Sequence, residues 1–147
     1  WFVWIGGSGA TFGLVICMLF FSKTKYSKTL GKTALAPSIF NINEPVIFGV
    51  PIMLNPIMII PFVVTPLITS SLSYFATVFG LVTPTHIMPP WTLPAPIGAY
   101  LATGGDWRAI VLVVINVAIS FVVYYPFFRM HERKLIEQEE TEERLGA

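Results

Sequence analysis

The stretch PSIFNINEPVIFGVPIMLNP, residues 37–56, decides the fold, because it places a carboxylate, Glu44, and four prolines in an otherwise apolar run. Glu44 is the only acidic residue before Asp106. A carboxylate in lipid costs several kcal/mol unless it is solvated or paired. Prolines interrupt helices, and broken backbone at membrane depth is tolerated only where it is buried in protein or lines a wet cavity. The stretch therefore predicts a broken, polar site within a membrane protein.

The composition of the whole chain indicates an all-α integral membrane protein. Of its 147 residues, 54% are hydrophobic and 12% are charged, against about 25% charged in average soluble domains. Apart from Glu44, the charges fall in three zones, namely four lysines in residues 23–32, the turn at residues 106–108, and the tail from Arg129. Long neutral stretches between wet loops are typical of bilayer spans. Such a chain offers no basic surface for nucleic acid.

The pattern divides the chain into a membrane transport domain, residues 1–128, and a charged, helix-prone cytoplasmic tail, residues 129–147. We expect spans at about residues 1–21, 56–82 and 109–128. Eleven of the twelve prolines lie between residues 34 and 102, which favours re-entrant, proline-broken hairpins at about residues 35–55 and 84–102 over additional full spans. Residues 22–33 read as a loop, and the lysine excess places that loop in the cytoplasm.

Polar and aromatic side chains on the two hairpins form the candidate binding site. Asn41 and Asn43 lie just before Glu44 in the sequence. Together the three side chains offer the donors and acceptors that sugar hydroxyls require. Trp91 on the second hairpin could stack on a sugar ring. Thr92 could add a hydroxyl to the site, and His86 is a weaker candidate.

Each of these residues also has a plain structural reading: Glu44 could cap a helix, Trp91 could lie at the membrane interface, and His86 could be a loop residue. The sequence shows no metal-binding cluster, no nucleophile–base set and no nucleotide or cofactor motif.

Five motifs in order resemble the lactose/cellobiose-type enzyme II C subunits of the sugar phosphotransferase system (PTS), with the cellobiose and diacetylchitobiose branch most similar. The signature is FNINEPVIFGVPIMLNP at residues 40–56. The others are WIGGSGAT at 4–11, PWTLP at 90–94, GGDWR at 104–108 and YYPFF at 124–128. The ordered set covers essentially the whole chain.

The resemblance implies a homodimeric permease of the bacterial inner membrane that binds a β-linked disaccharide. A cytosolic B subunit carries a phosphocysteine and phosphorylates the 6-hydroxyl of the sugar, so the C subunit is not catalytic by itself. Glu44 would bind and help deprotonate sugar hydroxyls, Asn43 would assist it, and Trp91 would stack on the sugar. Leu93 replaces a threonine that often follows Thr92 in the family.

The resemblance also implies an upstream half with dimerising helices and a site histidine, since no histidine precedes Asn43. We therefore expect this chain to be the C-terminal part of a longer permease. The main alternative function is an ion-coupled secondary sugar transporter with Glu44 as its proton site. A membrane scaffold without a substrate is a third possibility.

Overall fold

The computed structural model describes residues 1–146, and that part of the chain is helical, with no β-strand. Short 3-10 turns lie at Ser8–Ala10 and Ile52–Leu54. The α-helices are α1 Phe12–Phe20, α2 Lys25–Ile39, α3 Glu44–Gly49, α4 Pro56–Val78, α5 Ala95–Ala102 and α6 Trp107–Gly146. Helices α4 and α6 are long and apolar enough to cross a membrane by length and composition. They pack antiparallel to each other, and other elements pack against one or the other of them.

The first predicted span is wrong as a continuous helix, because α1 begins only at Phe12. The cause lies in the glycines before it: Gly6, Gly7 and Gly9 have φ values of 76°, 99° and 77°. Glycine adopts this left-handed region without the steric cost that a side chain would add. Residues 1–11 therefore form a compact segment that contains the 3-10 turn at Ser8–Ala10 and no α-helix.

A polar ladder on α6 satisfies the backbone of this broken segment. Asn116 donates to the carbonyl of Phe2 at 2.8 Å, Ser120 to that of Ala10 at 2.5 Å, and Tyr124 to that of Gly9 at 2.7 Å. The three donors are spaced four residues apart and therefore share one face of the helix. All three are fully buried. Free carbonyls that lipid could not solvate thus find partners inside the protein.

The lysine-rich segment was predicted to be a loop, and this is wrong, because α2 runs through it from Lys25. Thr24 caps the helix by accepting a bond from the Ser27 amide at 3.3 Å, as capping threonines do. The buried face consists of small residues, and a Cβ on Gly31 would lie 2.8 Å from the Cβ of Met18 in α1. Close packing of this face against α1 therefore stabilises the helical conformation of α2, while the lysines of α2 are exposed.

Several prolines lie inside helices, contrary to the expectation that each would interrupt one. Pro61 and Pro66 occur within the 23 residues of α4, Pro37 within α2, and Pro126 within α6. Neighbouring helices and hydroxyl side chains can support a proline-containing helix in a membrane. In α4, Thr69 and Ser73 donate to the carbonyls one turn before them at 3.1 and 2.7 Å.

The structure contains two hairpins that enter from opposite ends of the molecule. Each hairpin begins and finishes at its own end. In the first hairpin (α2, residues 40–43 and α3), the Tyr26 hydroxyl donates to the Gly49 carbonyl at 2.8 Å. It therefore closes near the end where Asn55 contacts His131 of α6. In the second hairpin (residues 83–106), the Thr83 amide donates to Asp106 at 2.9 Å. Residues 40–43, the first tip, and residues 90–93, the second tip, meet between the two ends.

Glu132 of α6 forms hydrogen bonds with the residues at the start of the first hairpin. Its carboxylate accepts bonds from the amides of Lys23 and Thr24 at 2.8 and 3.2 Å and from the Thr24 hydroxyl at 3.0 Å. The residue is 3% exposed. Burial by itself raises the pKa of Glu132, but the hydrogen bonds from Ser27, Lys23 and Thr24 outweigh it and hold the pKa below its ordinary value.

We expect Glu132→Gln to lower the free energy of unfolding by about 1–3 kcal/mol, because the new amide group faces donors that need an acceptor. The pKa of Glu132 is lower in the folded chain, so its contribution is present above the unfolded pKa of about 4.3. That contribution is lost as the pH falls through the folded value. Thermal unfolding in detergent between neutral and acidic pH should show the two chains converging in acid. The exposed control Glu139→Gln should match the unsubstituted chain throughout, and a gap that persists in acid would contradict this assignment.

Candidate functional site

Asn41 joins the two tips and the glycine-rich segment. Its side-chain oxygen accepts a bond from the Gly6 amide at 3.2 Å, and its nitrogen donates to the carbonyls of Trp91 at 3.2 Å and Leu93 at 2.9 Å. The backbone of Asn41 has φ 63°, a conformation that asparagine tolerates better than most residues. Both ends of the amide are therefore engaged with protein groups, and Asn41 fixes the position of the second tip.

Asn43 is engaged in a similar way one step further along the first tip. It is 5% exposed, and its nitrogen donates to the Ser8 carbonyl at 2.7 Å and the Thr11 hydroxyl at 3.0 Å. Gly7 lies so close that a Cβ there would overlap the Asn43 side chain. The donor group of Asn43 is thus used in holding the glycine-rich segment against the first tip.

Glu44 follows directly as the first residue of α3, and its side chain is exposed where that of Asn43 is buried. It borders a cavity of about 580 Å³, within the size range of small-molecule sites. The lining residues are Trp1, Trp4, Gly7, Ser8, Asn41, Asn43, Glu44, Thr85, Ile87, Met88, Pro89 and Trp91. Four of the residues singled out from the sequence, Asn41, Asn43, Glu44 and Trp91, therefore meet at one cavity.

The aromatic character of the cavity exceeds what the sequence suggested. Trp91 is 68% exposed and Trp4 is 65% exposed, and Trp1 lines the same space. Broad indole faces beside one carboxylate and several amides give a wall that is apolar with a few polar groups, as in most small-molecule sites. Sequence reasoning missed Trp1 and Trp4, although two tryptophans within the five residues before a glycine run were a visible signal.

Thr92 and His86 do not line this cavity. Thr92 belongs to the second tip, where its side chain is exposed and is not among the residues that line the cavity. His86 lies near the base of the second hairpin, where its amide donates to the Ala102 carbonyl at 3.0 Å and its ring lies against Gly104. The geometry gives His86 a structural place in that hairpin. Within residues 1–146 no three side chains of metal-binding type come together.

Comparison with known proteins gives the family. The model of the phosphotransferase system EIIC family matches residues 2–66. The chain is 50% identical over 136 residues to the lichenan permease IIC component of Bacillus subtilis, covering 92% of this chain and 30% of that protein. It is 53% identical over 126 residues to the cellobiose-specific EIIC component of Lactococcus lactis, covering 86% and 26%.

A solved structure agrees in fold. The crystal structure of the transporter ChbC, the IIC component from the N,N'-diacetylchitobiose-specific phosphotransferase system, matches with a TM-score of 0.89 and 41% identity. The match covers 95% of this chain and 32% of that one. The chain therefore belongs to the phosphotransferase system EIIC family, and the all-α membrane fold predicted from the sequence is confirmed. It spans about a third of the length of the relatives it matches.

Proposed function

We propose that this chain forms the sugar-binding part of a phosphotransferase-system permease for a β-linked disaccharide of the cellobiose, chitobiose or lactose type. The observation that carries the proposal is the exposed Glu44 carboxylate beside three tryptophans in one cavity of about 580 Å³. A disaccharide has hydroxyls that need strong acceptors and ring faces that suit aromatic contact. Relatives named for cellobiose, lichenan and lactose support this substrate class.

Glu44 is the side chain that we assign to the reacting hydroxyl. A carboxylate that accepts a hydrogen bond from the sugar 6-hydroxyl orients its oxygen and can take its proton as that oxygen attacks phosphorus. The phosphoryl group would come from the phosphocysteine of a B subunit, whose thiolate leaves. Asn43 and Trp91 would border the bound sugar, and Asn41 acts as a positioning residue because its amide is held by protein groups.

The distribution of charge supports an inner-membrane location with the tail in the cytoplasm. Lys23 lies beside Glu132, so the lysine zone and the basic part of α6 from Arg129 share one end of the molecule. Lysine and arginine concentrate on the cytoplasmic side of membrane proteins. The opposite end carries the Asp106 turn.

The proposal is tested by reconstituting the complete permease with its B subunit in vesicles. We expect a β-linked disaccharide to quench tryptophan fluorescence and to reach the B-subunit side as the 6-phosphate. An ion-coupled transporter with Glu44 as proton site would instead deliver free sugar and would stop when the proton gradient is dissipated. Neither binding nor transport is expected of a scaffold.

Asn41→Asp is expected to weaken disaccharide binding about tenfold without removing a group that we assign to the sugar. The aspartate retains the acceptor for the Gly6 amide but loses both donors to the second tip and sets a negative charge against two carbonyl oxygens. A hydrogen bond contributes about 0.5–1.5 kcal/mol to stability, so the loss of both bonds, one exposed and one partly buried, accounts for an effect of this size. Fluorescence titration would measure it.

Asn41→Gly separates the side chain from the backbone. Glycine accepts the left-handed φ of this position without strain and lacks the amide, so it should weaken binding to a similar extent. Unchanged affinity in both variants would show that the Asn41 amide does not position Trp91.

A further inference from the structure

A second, smaller cavity lies at the end of the molecule opposite the Asp106 turn. Its volume is about 60 Å³, which leaves room for a group of only a few heavy atoms. It is lined by Phe21, Lys23, Arg129, Glu132, Arg133 and Ile136. Three of the six lining residues are cationic.

Glu132 does not neutralise these cations by direct hydrogen bonding. Its oxygens accept their bonds from the amides of Lys23 and Thr24 and from the hydroxyls of Thr24 and Ser22. The side chain is 3% exposed, whereas Lys23, Arg129 and Arg133 are exposed. With three cations against one inward-facing carboxylate, the cavity has a formal charge of +2.

The surface that leads to the cavity changes from apolar to aromatic to cationic. Along α6, Phe121, Tyr125 and Arg129 are spaced four residues apart and share a face. The Arg129 guanidinium lies over the Tyr125 ring at 5.7 Å from its centroid, and Phe21 packs edge-on against that ring at 5.3 Å. Beside them, Phe20 is 76% exposed and Val122 is 65% exposed.

We propose that this cavity binds the phosphate headgroup of an anionic phospholipid. The exposed apolar and aromatic side chains suit acyl chains and the membrane interface, where aromatic residues concentrate. Arginine forms forked hydrogen bonds with phosphate, and Lys23 adds a point charge. Basic clefts between helices on the cytoplasmic side are suited to such headgroups. The apolar approach favours a lipid over a soluble anion.

The test follows the thermal unfolding midpoint of the purified complete permease in neutral detergent as lipid is added. A ligand that binds the folded chain raises the midpoint with its concentration. We expect a saturating rise with phosphatidylglycerol, a much smaller one with phosphatidylcholine, and a decrease in the phosphatidylglycerol effect as salt screens the charges. Each cation removed should lower the preference for phosphatidylglycerol about fivefold.

The triple substitution Lys23→Gln, Arg129→Gln, Arg133→Gln should therefore abolish the preference for phosphatidylglycerol. Its matched control, Lys28→Gln, Lys32→Gln, Arg144→Gln, removes the same formal charge from residues outside the cavity and should keep it. Equal rises with both lipids, an equal rise with inorganic phosphate, or loss of the preference in the control would each overturn the proposal. If the first variant does not fold, an unsubstituted chain whose preference is insensitive to salt would overturn it.

Discussion

Glu44→Gln is expected to reduce the affinity of the complete permease for a β-linked disaccharide about 10- to 100-fold. The substitution keeps the shape of the side chain but replaces a charged acceptor with a neutral amide. Hydrogen bonds to charged groups contribute about 1.5–3 kcal/mol, and each 1.4 kcal/mol corresponds to a factor of ten in affinity. Sugar phosphorylation should fall further than binding, because the variant also lacks the group that we assign as proton acceptor.

Fluorescence titration and phosphorylation assays on the same preparation separate these two effects. Glu137→Gln, the same substitution at an exposed position of α6, should leave both readouts unchanged. Because Glu44 is exposed to the cavity and does not lie in the core, the variant should unfold at the same temperature as the unsubstituted chain. Unaltered disaccharide affinity in Glu44→Gln would contradict the proposed site.

Gly13→Ala is expected to produce the largest loss of stability among single-methyl additions to the described helices. Gly13 is a buried residue of α1, and a Cβ there would overlap Ser120 and the backbone of Phe121 in α6. Backbone cannot rotate away as a side chain can, so the helices must separate. Overpacking of this kind costs about 1–3 kcal/mol, and occasionally more. Close approach through small residues is also the usual basis of helix association in membranes.

The unfolding midpoint in detergent measures this effect. Gly146→Ala is the control, since nothing lies within 4 Å of the Cβ it would add. A Gly13→Ala chain with an unchanged midpoint would show that α1 and α6 can move apart without cost. The same variant should also weaken the nearby bond from Ser120 to the Ala10 carbonyl.

The membrane class and a wet environment for Glu44 could be predicted from the sequence, because both depend on the energetics of single residues, and the structure places Glu44 at a cavity. A lone carboxylate in a neutral apolar stretch requires a wet environment wherever the rest of the chain lies. Such signals are local in the sequence, so they can be interpreted without knowing how the helices pack.

The segment before Phe12 and helix α2 could not be assigned correctly, because their structures depend on partners distant in sequence. Residues 1–11 form no α-helix because their glycines permit a different backbone conformation and because Asn116 and Tyr124 satisfy the freed carbonyls. Helix α2 forms where Gly31 packs on Met18. The apolar length of residues 1–21 suggested a continuous span and the lysines suggested a loop, but contacts with residues distant in sequence determined both structures.

The role of Asn41 was equally hidden. Its amide type and its closeness to Glu44 suggest a direct ligand, yet the direction of its bonds depends on residues 91 and 93, fifty positions away. Glu132 was hidden for a similar reason, since a charged tail predicts solvated side chains. Its burial follows from donors in residues 22–24, which no pattern within the tail reveals.

Helix α6 runs without interruption from Trp107 to Gly146. At 1.5 Å per residue it measures about 60 Å, roughly twice the hydrocarbon thickness of a bilayer. Such a rod acts as a lever, so a small tilt of its membrane part sweeps the far end through a larger arc. A spin or fluorescent label near the end of the helix would therefore magnify transport motions that are too small to follow at the sugar itself.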